Sequence, residues 1–225
     1  MYKIALDKLP ELFRLIKASQ ELYLPVKKAG QVNFGAWNED AEVDLDIIKT
    51  VKSPKDAFFP QSETLYTVVK DGKKLSIKPE ELENQDFVIF GIKACDIKGV
   101  EVLDKVFLYE PVDSFYAARR AHGTLVALAC NEPSESCFCK VFGIDCADPK
   151  ADVATWITDG YLYWKAYTEK GEKLTEAVKS LFEEGEEAKV SQAKEKIREI
   201  VEKLPYSNLS LEGWNGDALS EKFDS

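Results

Sequence analysis

Phe87-Val88-Ile89-Phe90-Gly91-Ile92 runs for six residues without a charged or amide side chain, and Thr124-Leu125-Val126-Ala127-Leu128-Ala129 repeats the pattern further on. Runs this short, rich in branched and aromatic residues, are the signature of strands buried on both faces, the situation of a parallel sheet covered by helices. Between them the spacing predicts two helices. The first covers about 97–107, with Val100, Leu103 and Phe107 on its apolar side and Asp96 as its N-cap, and the second covers Ser114 to His122. Strand, helix and strand in this order give an α/β fold with a mixed, partly parallel sheet flanked by helices. Each apolar run also ends at a cysteine, Cys95 after the first and Cys130 after the second. If the two strands are parallel, both cysteines reach the sheet edge beyond the carboxyl ends, where open α/β sheets place their ligands.

Outward from this centre the pattern is looser. Leu9, Leu12, Phe13, Leu15 and Ile16 recur at helical spacing over 7–19, with Pro10 in the first turn, where a proline is tolerated. Short extended pieces follow near 22–24 and 32–34, then an irregular aromatic loop over 54–63. A hairpin is predicted from Leu65–Val69 and Lys74–Ile77 around Asp71-Gly72. Strands are expected over 154–158 and 161–167, separated by Asp159-Gly160, and helices over 172–182 and 186–203. Residues 1–205 read as one cluster-binding α/β domain and 206–225 as a tail.

The chain has 225 residues, with 30 basic and 40 acidic side chains, a formal charge of −10. An acidic surface repels nucleic-acid phosphates and anionic lipid, so neither is expected as a partner. No stretch approaches the roughly 18 apolar residues of a membrane span, and the N-terminus has no signal-peptide pattern, so a cytoplasmic location is expected. In that reducing setting, five cysteines between 95 and 146 point to metal binding or catalysis rather than disulfides.

Cys130-Asn131-Glu132-Pro133-Ser134-Glu135-Ser136-Cys137-Phe138-Cys139 carries three cysteines in ten residues of polar loop. With Cys95 they supply four soft ligands, enough for a [4Fe–4S] or [2Fe–2S] cluster or for structural zinc. The spacing matches neither the C-x2-C-x2-C of bacterial ferredoxins nor the paired C-x2-C of zinc ribbons. Cys146 is the cysteine left out of this set, although it is able to replace Cys95 in it. Buried free cysteine is the plain alternative for Cys95 or Cys146 alone. A nucleophilic cysteine needs a base, and His122, the single histidine, reads as a surface or capping residue. Arg119-Arg120 suits a phosphate or carboxylate but also a solvated helix end, and Lys93 suits an anionic group or plain solvent. Gly91 and Gly99 form no dinucleotide fingerprint. Trp156, Tyr161, Tyr163, Trp164 and Tyr167 read as packing.

Three segments carry a family resemblance. Gly91-Ile92-Lys93-Ala94-Cys95-Asp96-Ile97-Lys98-Gly99 resembles G-[IV]-[RK]-x-C-D-[IL]-x-[AG]. Cys130 to Cys139 resembles C-x-E-P-x-x-x-C-F-C, and Pro54-Lys55 with Pro60 and Glu63 resembles P-K-x-x-x-x-P-x-x-E. Over about 50–165 the chain is thus similar to the 4Fe–4S dicluster proteins, typified by the beta chains of sulfhydrogenases and by their counterpart in anaerobic sulfite reductases. The resemblance implies an iron–sulfur electron-transfer subunit of an anaerobic oxidoreductase complex. Its [4Fe–4S] cluster would be held by Cys95, Cys130, Cys137 and Cys139, and would link a ferredoxin-like or flavin subunit with a catalytic subunit. It also implies that the tail leads to a missing or separately encoded ferredoxin segment, because no C-x2-C-x2-C repeat is present. Two alternatives stay open: a zinc-stabilised docking scaffold, and an enzyme domain binding a flavin or small molecule.

Overall fold

The computed structural model describes residues 1–213. In chain order its main elements are β1 (Tyr2–Ala5), α1 (Leu9–Lys17), β2 (Glu21–Lys28), β3 (Gln31–Ala36), β4 (Tyr66–Asp71) and β5 (Lys74–Pro79). Then come β6 (Phe87–Ile92), α2 (Ala94–Phe107), α3 (Ser114–His122), β7 (Gly123–Leu128), β8 (Val153–Thr158), β9 (Tyr161–Ala166), α4 (Glu169–Val178), β10 (Glu183–Glu184) and α5 (Glu187–Glu202). Eight strands form one mixed sheet in the order β10-β1-β9-β8-β7-β6-β2-β3, and β4 and β5 form a separate hairpin. The α/β class read from the two apolar runs is the observed one. The four central strands β2, β6, β7 and β8 are parallel, and the outer pairings are antiparallel.

Period-two alternation sorts the strand residues onto two faces. Val88, Phe90, Val126, Leu128 and Val153 pack against Leu12, Phe13 and Ile16 of α1 and Leu174 and Val178 of α4. Phe87, Ile89, Leu125 and Ala127 face the other way, onto Ile97 and Val100 of α2 and Tyr116 of α3. Ala154, Trp156 and Tyr163 extend that second face under Val190 of α5. Helices therefore cover both faces of the central strands, which is why β6 and β7 are buried at every residue.

Several expectations shift in detail. α2 begins at Ala94 rather than 97, so Cys95 lies inside the helix's first turn. Asp96 does not cap it: Lys93 is the N-cap residue, and the Asp96 carboxylate instead accepts from Ser53 Oγ at 2.6 Å. The hairpin turn is one residue later than expected, at Gly72-Lys73. α4 starts at Glu169, where the Thr168 side chain caps it by accepting from the Gly171 N–H. β1 and the two-residue β10 carry no sequence signal; their pairing with β9 and with each other defines them. Part of the expected tail, 214–225, lies outside the described residues.

Two glycines are required by the packing. Gly91 sits at φ +91° where the β6–β7 register shifts, a bulge that turns the end of β6 toward α2. Gly171 brings α4 so close to the start of β8 that a Cβ there would lie 2.0 Å from the Asp152 carbonyl oxygen. That oxygen is fixed by the Tyr167 N–H at 2.9 Å. Gly171→Ala is therefore expected to destabilise the protein by about 1–3 kcal/mol through overpacking, read as a lower urea midpoint with an unchanged slope.

Candidate metal centre at the sheet edge

The parallel register of β6 and β7, with Ile92 opposite Ala127, brings the two strand ends to the same edge. Cys95 follows the first within one turn of helix, and Cys130 follows the second. The connection from β7 to β8 then runs across this edge as a loop rather than as a covering helix. Its turns are local. The Cys137 N–H donates to Ser134 O at 2.9 Å, and a 3-10 turn spans Cys139–Phe142. Gly143, at φ 65°, ends that turn, and the Ile144 N–H returns to Cys139 O at 3.0 Å. The Cys130 N–H then donates to Cys146 O at 3.0 Å, closing the loop on its own start.

The result is a knot of thiols, with Cys130 and Cys146 buried together and Cys139 packed against them. The Cys146 and Cys95 thiols near Cys139 hold its pKa down to about 3. Cys130 is held below the ordinary cysteine value, chiefly by the Cys146 thiol and against its burial. Their neighbours move the other way: Cys146 is pushed up by Cys130 and Cys139, and Cys95 chiefly by Cys139. Cys130 and Cys139 of the expected set are thus packed together with Cys146, and Cys95 lies beside Cys139. Cys137 lines the same small cavity as Cys130, Cys139 and Cys146, its Sγ 3.3 Å from Ser134 Oγ. Among the described residues no three His, Cys, Asp or Glu side chains are arranged as a ready metal-coordination set. The sulfurs gathered at this edge are nonetheless of the soft kind that thiolate metal sites use.

Lys93 stands beside this knot with 8% of its surface exposed. Burial lowers its pKa, and the nearby Cys130, Asp46, Cys95 and Asp44 partly oppose that. A lysine at this depth puts a positive charge where thiolates would gather negative charge.

α5 holds the loop in place. Lys194, Arg198 and Glu202 recur every four residues on one stripe of this helix. Arg198 grips Asp145 Oδ2 at 2.7 and 3.2 Å, Lys194 Nζ lies 2.8 Å from Asp148, and Glu202 pairs with Lys140. Ile197, one position away, packs on Cys130 and Cys146. Trp156 is more than packing, because its indole N–H donates to Ala147 O at 2.8 Å while Lys194 lies over its ring. The i, i+4 charge spacing in 194–202 was the available signal for this clamp. Its partners, Lys140, Asp145 and Asp148, were visible only in three dimensions.

The other candidates fall elsewhere. His122 precedes β7 and pairs with Asp86 at 2.7 Å, a full strand length from Cys130, so the two do not form a catalytic pair. Arg120 is engaged by Asp104 at 3.0 and 3.1 Å and Arg119 by Glu63.

Known proteins give one match and two blanks. No family model and no solved structure matches the chain. Sulfhydrogenase 2 subunit beta of Pyrococcus furiosus is 32% identical over 162 residues, which cover 71% of this chain and 46% of that one. The two chains are homologous. The present chain spans about half the length of that relative. Among the described residues no helix is long and apolar enough to cross a membrane.

Removing the clamp should loosen the loop without unfolding the protein. Arg198→Ala is expected to cost about 1 kcal/mol or less, as half-exposed ion pairs do, and to raise the labelling rate of Cys146 by iodoacetamide roughly fivefold. An unchanged rate would show that the loop stands without Arg198.

Proposed function

We propose that this chain is the cluster-bearing part of an electron-transfer subunit in a hydrogenase-type complex, and that one iron–sulfur cluster is held at the carboxyl edge of β6 and β7. The observation that supports this reading is that Cys130, Cys139 and Cys146 of one loop pack together at the strand ends, with Cys95, from a segment 35 residues before Cys130, beside Cys139. Homology to a sulfhydrogenase beta chain supports it from a separate direction. Cys95, Cys130 and Cys139 are the proposed ligands that the sequence motif and the proximity of the thiols have in common. We assign the fourth place to Cys146, with Cys137 as the alternative that spacing favours. The cluster would relay single electrons in the cytoplasm, linking a ferredoxin-like or flavin subunit with a catalytic subunit. Exposure of Cys95 leaves one side of the site open to such a partner.

Ligand substitution tests the assignment. In protein purified without oxygen, about four iron and four sulfide per chain are expected, with broad absorbance near ~400 nm that bleaches on reduction. Cys95→Ser, Cys130→Ser, Cys139→Ser and Cys146→Ser should each lose most of the iron, and Cys137→Ser should keep it. Loss with Cys137→Ser and retention with Cys146→Ser would return the fourth place to Cys137. One zinc and no sulfide would replace the redox reading by a structural scaffold. Protein that binds no metal would remove both readings.

Lys93 supplies a further check on the same site. Lys93→Met removes a buried positive charge beside the sulfurs, which disfavours the more negative, reduced state. The midpoint potential should therefore move to more negative values while iron content is kept. An unmoved potential would place the Lys93 ammonium away from the cluster.

A further inference from the structure

β4 and β5 form a two-stranded ribbon that joins no other strand, and all twelve of their residues are exposed. A lone hairpin is marginal in water, and three or more strands or a covering element are needed for independent stability. This ribbon is nevertheless strongly amphipathic. Cross-strand pairing sets Tyr66 opposite Pro79, Val68 opposite Ile77 and Lys70 opposite Leu75, all on one face. Thr67, Val69, Asp71, Lys74, Ser76 and Lys78 form the other. On the first face Tyr66 is 59% exposed, Val68 51%, Leu75 69% and Ile77 68%. Alternation this regular is the pattern of a strand pair with one face buried, yet among the described residues nothing covers it.

The charge of the ribbon is also out of character. Four lysines, at 70, 73, 74 and 78, stand against one aspartate, Asp71, a net +3 in a chain whose total is −10. Lys73 lies at the tip, Lys74 and Lys78 on the polar face, and Lys70 beside the tip end of the apolar face; charge so spread along a two-stranded ribbon opposes addition of a further strand, so recognition falls to the apolar face. We infer that the β4–β5 hairpin is a docking arm whose Tyr66–Val68–Leu75–Ile77 face seats in an apolar, carboxylate-rimmed groove of a different subunit. This rests on the reading of the chain as one subunit of a complex. A second copy is the weaker occupant. Two chains of −10 repel each other, and stacking two such faces would bring the lysine tips together. A membrane or nucleic acid would meet the acidic body that surrounds the arm.

The test uses the complex purified through a tag on the full chain from its native cell. A photo-crosslinking residue at position 77 should join a different, stoichiometric subunit, within a peptide that carries Asp or Glu beside apolar residues. The same residue at position 76, on the opposite face, should do so at least fivefold less. Val68→Asp with Ile77→Asp, both at exposed positions, should reduce the co-purified subunit at least tenfold. The iron content of the tagged chain should not change, which separates failure of this arm from failure of the cluster assignment. Crosslinks to a second copy, cosedimentation of the chain with phosphatidylserine vesicles through these residues, equal crosslinking from positions 76 and 77, or full retention of the subunit by the double variant would each overturn the proposal.

Discussion

The alignment of β6 with β7 is the constraint on which the site depends. Parallel pairing leaves both strands leaving the sheet on the same side, and burial of every residue in both strands leaves their register no freedom. A one-residue slip would turn Val88 and Phe90 away from α1 and set Phe87 and Ile89 in their place. It would also carry Cys95 away from Cys130. The distance between the two cysteines is therefore set by the packing of apolar side chains on the two faces rather than by the cysteines themselves. The bulge at Gly91 completes the arrangement, because it redirects the last residue of β6 so that Ile92 stays buried while Cys95 enters the first turn of α2.

Around that fixed pair the remaining cysteines arrive by different physics. The 130–148 loop has only a small apolar cluster, in which Cys139, Ile144, Cys146 and Ala147 pack against α5. It is held by its turns, by the Trp156 indole on the Ala147 carbonyl, and by the charged stripe of α5. Each surface ion pair is worth little alone. Three on one helix face, backed by Ile197 against Cys130 and Cys146, act on the same short loop. The sheet gives rigid placement to Cys95 and Cys130, and the loop carries Cys137, Cys139 and Cys146. The cost falls on Lys93, whose burial disfavours its charge unless negative sulfur stands nearby.

Different kinds of residue were legible to different degrees. The two buried strands, the helices between them and the Asp159-Gly160 hairpin turn were readable because burial on both faces and positive φ each demand a narrow set of side chains. The residue pattern starts α2 three residues late, because Asp96 resembles a helix cap by type and only the neighbouring Ser53 reveals its actual partner. β1 has four residues, and β10 two, too few for any periodicity, so they exist only as partners of neighbouring strands.

Residue type and short-range period were enough to settle the α/β class, the ends of β6 and β7 as the chemical edge, and the concentration of cysteines there, because these are properties of the chain. Which cysteines lie near one another depends on how the loop folds. Spacing favoured Cys137, two residues from Cys139, and set Cys146 aside. The 3-10 turn at 139–142, the left-handed Gly143 and the backbone bond from the Cys130 N–H to Cys146 O bring Cys146 inward, while Cys137, beside Ser134, lines the same cavity. Closeness along the chain fixes how far two thiols can be apart, whereas the direction each one points depends on the fold of the loop and on the helix that clamps it.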